Sequence, residues 1–579
     1  MENPEIARVF HEIADLLEIK GGDLFRVRSY RNAALIIDGL EDPLRSLYGK
    51  NGVEGLKHIP GIGESTRSKV VEMLTTGSCA FHDELLREIP AGVLEMIRVA
   101  SLGPKKAAML HKELGISSID ELEKAAREER IRDLPGFGEV TERKILKGIE
   151  ALRLISGKWK ISTSLRYGEV FSDYIKTVPG VYEIVLSGSL RRWKEEVGDL
   201  DILATCRDPK AVMERFLSHP EIRDVLAKGE TKSTVVLKSG LQVDLRALDR
   251  QSFGAALQYF TGSKAHNVAI RDRAKRMGLK VSEYGVFDSA TGKRVAGSNE
   301  EEVYKAVGLP WIPPELREMR GEIEAAEAGR LPVQLKTEDI KGDLHVHTNE
   351  SDGGFTLEAM AEGAIKMGYE YIAVTDHSKA VVIAHGLDEA RILAQMAYVD
   401  DFNRRLQKKG ERFRVLKGSE VDIRADGTLD HSEKVLCALD CVVAAVHSGF
   451  GMKKEEMTAR IIKAIQTGLV NIVAHPTGRL LGERPPYEVD MAAVMDEAKK
   501  HNVALELNSC PERLDLNDMH LRLAKDKGVK IAISTDAHSI NHLQNIVYGI
   551  HTARRGWIEK KDVINTMPLK GLMRFLKKG

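Results

Sequence analysis

The sequence predicts a multidomain α/β protein, with helical domains at the N-terminus, an α+β middle region and a C-terminal distorted α/β barrel. Three observations carry this reading. A glycine-containing turn between helical patterns recurs before about residue 150. A pair of aspartates, Asp199 and Asp201, opens an apolar strand, and a third, Asp244, lies in a similar run. Ten of the 18 histidines fall between Asp343 and His538, most at the ends of short apolar segments.

At the N-terminus, LKHIPGIGESTRSKVVEML and IRDLPGFGEVTERKILKGI are two versions of one pattern, and IRVASLGPKKAAMLHKELGI is a looser third. Each reads as a helix, a tight turn and a second helix. Neither Gly61-Ile62-Gly63 nor Gly136-Phe137-Gly138 follows a strand, and the third glycine of a dinucleotide-binding loop is missing. A turn of this kind exposes backbone N–H groups beside a helix N-terminus, where one backbone phosphate can sit. Gly61, Gly63, Gly103, Gly136 and Gly138 are therefore candidate DNA-backbone contacts. Arg67, Lys69, Lys105, Lys106, Arg143 and Lys144 follow the turns and could add charge; alone, they would be a solvated helix face. Repetition favours sequence-independent DNA binding.

The middle region begins after a basic GKWK. In VYEIVLSGSLRRWKEEVGDLDILATC a strand runs into Gly188-Ser189, and Asp199 and Asp201 then point to one face of the next strand. GLQVDLRAL places Asp244 on what should be a neighbouring strand. Alone, an Asp-x-Asp is as readily an exposed strand edge. With the third carboxylate and the Gly-Ser turn, the pattern is what two-metal phosphoryl transfer with Mg2+ requires.

In the last third, apolar runs end in GDLHVHTNESDGG (His345, His347, Asp352), VTDHS (His377), KGSEVDI (Glu420), AAVHSG (His447), IVAHPTG (His475) and ISTDAHS (Asp536, His538). The runs alternate with amphipathic helical patterns, as in a barrel whose strand ends share one mouth. Imidazole and carboxylate without thiolate suit Zn2+, Mn2+ or Fe. Nine donors exceed the needs of one tetrahedral ion and point to two or three, able to activate a water and hold a phosphate. Arg479 could contact a phosphate or be a solvated loop residue. His385, His431, His501 and His520 lie outside the pattern.

Composition frames the rest. The 579 residues include 86 acidic and 86 basic side chains, so any nucleic-acid partner must be recognised locally. The five cysteines form no CxxC pair, and no signal peptide or long apolar run is evident. A reduced cytoplasm is the expected setting, with no membrane partner. A charged share of 30% would suit a heat-adapted organism.

The order HxH, Asp, His, Glu, His, His, DxH resembles the polymerase and histidinol phosphatase (PHP) family of phosphoesterases, and by that resemblance all nine donors are metal ligands. Residues 158 to 318 resemble the nucleotidyltransferase palm and thumb of family X DNA polymerases, close to polymerase beta in local motifs. The resemblance implies that Asp199, Asp201 and Asp244 hold the metals. It also implies that Ser189 and Arg192 contact the triphosphate, with Gly188 permitting close approach. In QYFTGSKAHNVAIR it places Tyr259, Phe260 and Gly262 near the sugar, Asn267 at the base edge and Arg271 towards the template; the two aromatics read alone would be core residues. Arg246 would lie beside the carboxylates, and Lys264 and His266 receive no role. The N-terminal repeats resemble helix-hairpin-helix motifs, and Lys69 matches a lysine that can form a Schiff base with abasic deoxyribose; a plain phosphate contact is the alternative.

The implied domains are an N-terminal helical domain (1–80), fingers (81–157), palm (158–255), thumb (256–318), a linker (319–339) marked by Pro-Pro and Leu-Pro, and the PHP domain (340–579). Together they resemble the bacterial and archaeal family X polymerases that carry a C-terminal PHP domain. That implies filling of short gaps in DNA repair from dNTPs on gapped or primer-template DNA, with Mg2+ at one site. It also implies 3'-5' exonuclease and abasic-site endonuclease activity, with Mn2+ or Zn2+ at the other, in an expected monomer. A polymerase fused to a small-molecule phosphatase, or a non-catalytic barrel in a gap-binding protein, are the rival expectations.

Overall fold

The computed structural model describes residues 1–579 except 2, 39, 41–43, 58, 60, 98, 100–101, 156–157 and 578–579. Parts of the first and third N-terminal motifs, including His58, Pro60 and Ser101, and the 157/158 boundary thus lie outside the described residues. The chain divides into two compact units, Met1–Ser156 with Gly482–Pro485, and Gly157–Leu481 with Pro486–Gly579.

The first unit is helical among its described residues. Its three turns share one frame. The N–H of Ile62 bonds the carbonyl of Ile59, that of Leu102 bonds Val99, and that of Phe137 bonds Leu134. An apolar residue at each end of the turn faces the interior, and Ile59, Ile62, Val99, Leu102 and Phe137 are buried. The apolar frame therefore survives in VASLG, which lacks the Pro-Gly pair. Gly61 and Gly136 sit at φ +78° and +82°, a conformation that costs other residues more.

In the second unit, the palm is a mixed five-stranded sheet in the order Val181–Leu186, Asp199–Cys206, Gln242–Leu248, Lys232–Leu237, Ile222–Lys228. The second and third strands are parallel, with Asp201 opposite Asp244. Helices Ile161–Lys176 and Pro209–Leu217 meet beside the sheet through Phe171 and Phe216, whose rings pack edge to face at 5.7 Å. The thumb adds Phe253–Thr261, Lys264–Arg276 and a three-stranded antiparallel sheet.

The last 240 residues or so hold a nearly closed barrel of seven parallel strands in chain order: Gly342–Val346, Tyr371–Val374, Arg414–Asp422, Cys441–Ala445, Ile472–Val473, Ala504–Asn508 and Ile531–Ser534. A bridge between Val346 and Ala537 joins the first segment to the last. Most strand residues are buried, because parallel strands are covered on both faces. Leu344, Ala373, Leu416 and Val443 share one apolar cluster with Leu572 and Leu576 of the C-terminal helix.

Residues 319–339 do not form a free tether. Ala325 and Ala326 pack in the thumb cluster, Glu322 is fully buried against His266, and Leu335 joins the barrel core. The segment contributes buried side chains on both sides, so palm, thumb and barrel fall in one compact unit.

Candidate functional site

Two clusters of potential metal ligands lie in the second unit. In the palm, parallel pairing brings Asp199, Asp201 and Asp244 together, with one carboxylate oxygen from each within 4.8 Å of the others. Asp244 is oriented by Thr234 Oγ1 (2.5 Å) and Gln242 Nε2 (2.8 Å), which donate to its two oxygens. Burial, and then the charges of Asp199 and Asp244, push Asp201 up to about 7. A cation would relieve that repulsion. Gly188 lies against this centre at φ +62°, and a Cβ there would stand 2.2 Å from Asp201 Oδ2. Only glycine fits without displacing the carboxylate.

Ser189 lies in the short helix Gly188–Arg191 beside these carboxylates. Arg192 is near enough to Asp199 and Asp201 to favour their charged forms. Its guanidinium is nevertheless engaged: Nε donates to Glu318 (2.9 Å) and Nη1 to the Thr261 carbonyl (2.5 Å). Arg246 lies 4.2 Å over the Phe260 ring, which packs edge to face on Tyr259. Gly262 adjoins Arg192, at φ +70°. Asn267 is buried, its amide oxygen accepting from Gln258 and its amide nitrogen donating to the Tyr259 carbonyl. Arg271 and Tyr259 line a shared surface cavity, and Arg271 is exposed. His266, given no role from sequence, is fully buried between Glu322 (2.7 Å) and Tyr304 (2.9 Å) as a structural residue.

At the mouth of the barrel, Glu420 is the hub. Its oxygens lie 2.8 Å from His377, 2.9 Å from His475, 3.1 Å from His447, 3.4 Å from His345 and 3.5 Å from His347. Asp352 contacts His347, His377 and His538, while Asp536 contacts His345 and His347. Three overlapping groups could each hold an ion: His347, Asp352, His377 and His538; His345, His347 and Asp536; His377, Glu420 and His447. His475 joins through Glu420.

The donors fit bound metal. His345 Nε2, both ring nitrogens of His347, His377 Nδ1, Glu420 Oε2 and His475 Nδ1 are buried without a hydrogen-bond partner. Such atoms are costly unless something coordinates them. Burial would raise the Glu420 carboxyl, but the neighbouring imidazoles, His377 foremost, hold it well below its usual value. Burial lowers His377, yet Glu420 and Asp352 outweigh it and raise it to about 10. His475 (φ +27°) and Asp536 (φ +55°) occupy backbone conformations unusual for non-glycine residues, as is frequent at functional sites.

Sequence reasoning missed the supporting layer. Glu506 is fully buried, bonded to His345 Nδ1 (2.7 Å) and accepting from the His475 N–H (2.7 Å). Asp422 supports His447, and Asn508 donates to Asp536 at 3.0 Å. A charged residue inside the apolar run ALELN was the available signal. Arg513 also reaches this centre, 3.6 Å from Asp536. Arg479 is not a solvated loop residue: it is buried and pairs with Glu195 of the palm. His385, His431, His501 and His520 lie outside the ligand groups.

In the helical unit, Gly63 and Gly103 cap their helices in near-identical conformations (φ −71° and −81°, ψ 170° in both) without a side-chain cap. No side chain therefore caps either helix start, although Pro104 leaves the second without an N–H at its first position. Gly138 opens its helix at φ +67°. Lys69 is half-buried, 3.2 Å from Ser65 Oγ, with its ammonium 5.1 Å from the Phe81 ring centre and 5.7 Å from that of Tyr30.

A carboxylate triad on a mixed sheet and a His-rich barrel mouth define a protein with a phosphoryl-transfer centre and a separate metal-dependent hydrolytic centre. Residues 256–318 match the family described as DNA polymerase beta thumb, residues 343–510 the PHP domain, residues 1–79 a helix-hairpin-helix domain and residues 93–151 a SAM-like helix-hairpin-helix tandem. The PHP match ends before Asp536 and His538, which the geometry adds to the site. The chain is 38% identical to DNA polymerase/3'-5' exonuclease PolX of Bacillus subtilis strain 168, over 100% of both chains. It is 25% identical to DNA polymerase lambda of Arabidopsis thaliana over 55% of this chain and 62% of that one. A probable phosphatase of Thermoanaerobacter sp. strain X514 is 29% identical over 39% of this chain and 89% of its own. The chain belongs to the family X DNA polymerases that carry a C-terminal PHP domain.

Proposed function

We propose that this chain fills short gaps in DNA during repair, adding dNTPs at the Asp199–Asp201–Asp244 centre. At the barrel mouth it hydrolyses DNA phosphodiesters as a 3'-5' exonuclease and abasic-site endonuclease. The observation that carries this reading is the presence of both ligand clusters in a chain alike from end to end to a protein named for both activities. The likeness to phosphatases is confined to part of the chain, which favours DNA over a small phosphoester.

At the palm, Asp199, Asp201 and Asp244 would hold Mg2+, and Asp244, fixed by Thr234 and Gln242, would also help to activate the primer 3'-hydroxyl. Ser189 and Arg192 take the triphosphate, with Gly188 clearing its approach. Tyr259, Phe260 and Gly262 face the sugar, Asn267 the base and Arg271 the template. At the barrel, the nine donors hold two or three Mn2+ or Zn2+ ions, which when bound supply Lewis acidity to a phosphodiester and a water. Glu506 and Asp422 fix the tautomers of His345 and His447, so each ring presents its other nitrogen inwards. The turns at Gly61, Gly63, Gly103, Gly136 and Gly138 bring backbone up to DNA phosphates. Lys69 contacts a phosphate or, with an abasic sugar, acts as a lyase amine; borohydride trapping on abasic DNA distinguishes the two. The domain limits inferred from sequence complete the proposal, for a monomer working in the cytoplasm.

The test is a one-nucleotide-gapped primer-template with Mn2+, with and without dNTPs, for wild type, Asp199→Ala and His345→Ala. Extension lost only in the first variant and 3' degradation lost only in the second is the expected result. Degradation that survives His345→Ala would remove the nuclease from the barrel, and extension that survives Asp199→Ala would remove synthesis from the palm.

A further inference from the structure

Resting on the nucleotidyl-transfer reading above, we propose that Arg555, a residue of the barrel region, is a positioning residue for nucleotide binding at the palm. Arg555 ends the helix Ile546–Arg555, far along the chain from the palm carboxylates. Its Nη1 donates to the backbone carbonyl of Arg192 (2.7 Å) and to Glu318 Oε1 (3.0 Å). The same Glu318 oxygen accepts from Arg192 Nε at 2.9 Å. Arg555 Nη2 is anchored on Asp518 (2.6 Å), which also accepts from Arg320 (2.9 Å). The side chains of Arg192, Glu318 and Arg555 are only 11%, 13% and 4% exposed, so solvent screens their charges weakly.

The charge balance gives the arrangement its consequence. Arg192 alone with Glu318 would be a closed neutral pair, and an incoming triphosphate would have to compete with a carboxylate for the guanidinium. Arg555 shares that carboxylate. Arg192, Arg555 and Arg320 against Glu318 and Asp518 leave one net positive charge, and the backbone bond at the Arg192 carbonyl fixes where its side chain starts. The barrel thereby keeps the triphosphate arginine in place and incompletely neutralised, as anion binding requires. Trp193, the next residue, stacks face to face on His551 of the same barrel helix at 3.6 Å, a second contact between that helix and this stretch of palm.

The experiment measures KM for dNTP and kcat with Mg2+ on one-nucleotide-gapped DNA, using the full chain. Arg555→Ala should raise KM about tenfold, as expected for loss of one charge-assisted bond, with kcat within about twofold. Arg555→Lys, which keeps the charge and one contact, should lie between it and wild type. The Mn2+-dependent 3'-5' exonuclease rate should not change in either. An unchanged KM in Arg555→Ala overturns the inference, as does a parallel loss of synthesis and exonuclease that Arg555→Lys fails to rescue. If Arg555→Ala does not fold, Asp518→Asn, which releases Arg555 from its anchor, decides: a several-fold rise in KM supports the role and an unchanged KM overturns it. Absence of synthesis by the wild-type chain would instead sink the polymerase reading.

Discussion

Arg479, two residues beyond the Thr477 that follows a barrel strand, forms a bidentate ion pair with Glu195 of the palm, at 2.9 and 2.6 Å. The guanidinium is buried, while Glu195 keeps about a third of its side-chain surface exposed. Arg479 also donates to the Leu514 carbonyl. One side chain thus links two active regions whose partners are 284 residues apart in sequence.

Replacing Arg479 by Met should therefore destabilise the second unit, by about 1–3 kcal/mol after allowance for the exposed partner, measured as a lower denaturation midpoint. Below that midpoint, KM for Mn2+-dependent hydrolysis of a small phosphodiester should be unchanged. A raised KM with unchanged stability would support the phosphate-contact role instead.

Gly188→Ala should abolish nucleotide addition while sparing the nuclease. The added methyl would press on Asp201 Oδ2, and displacing one carboxylate of a metal pair costs at least about a hundredfold in rate. Primer extension and 3' degradation measured on one preparation check both halves of the outcome.

Glu506→Gln should weaken metal binding at the barrel by about ten- to a hundredfold, because the support of His345 is lost while every direct ligand remains. Titration of apoprotein with Mn2+, followed by calorimetry, reads this directly. Extension at the palm with Mg2+ should stay at the wild-type rate, and equal Mn2+ affinity in the two proteins would show that the carboxylate is not needed.

Acid should weaken the junction of palm and thumb through Glu300. This buried carboxylate accepts from Arg191 (2.8 and 2.7 Å), Arg317 (2.7 Å) and Trp311 (3.1 Å). Burial raises its pKa, but Arg317 and Arg191 together outweigh that and bring it from 4.5 down to about 2. The folded state therefore releases this proton more readily than the unfolded chain. Its stabilisation, on the order of 3 kcal/mol, is complete above about pH 4.5 and is lost as pH falls towards 2. In Glu300→Gln the stability profile between pH 4.5 and 2 should be flatter than in wild type; parallel profiles from chemical denaturation would contradict this.

Sequence made the nine barrel donors visible because a charged or imidazole side chain at the end of an apolar strand has no reason in packing to be there. The palm triad was visible for a related reason: two-residue spacing fixes a shared face, and strand pairing then sets Asp201 opposite Asp244. What stayed hidden depends on distant pairing. Glu195 with Arg479, and Arg192 with Arg555, are ordinary charges in their local strings, and no periodicity links them. The linker reading failed to foresee packing for the same cause, since the partners of Glu322 and Leu335 lie far off in the chain. In the third turn, by contrast, the apolar frame of Val99 and Leu102 was sufficient although the Pro-Gly signature was absent.

The barrel places His345 and His347 on its first strand segment and Asp536 and His538 after its last, joined across the Val346–Ala537 bridge. During translation, the palm carboxylates have all emerged once residue 244 clears the ribosome, whereas the barrel mouth gains Asp536 and His538 only when residue 538 has been made. A stalled or prematurely terminated product could thus carry the groups for building DNA without the groups for cutting it.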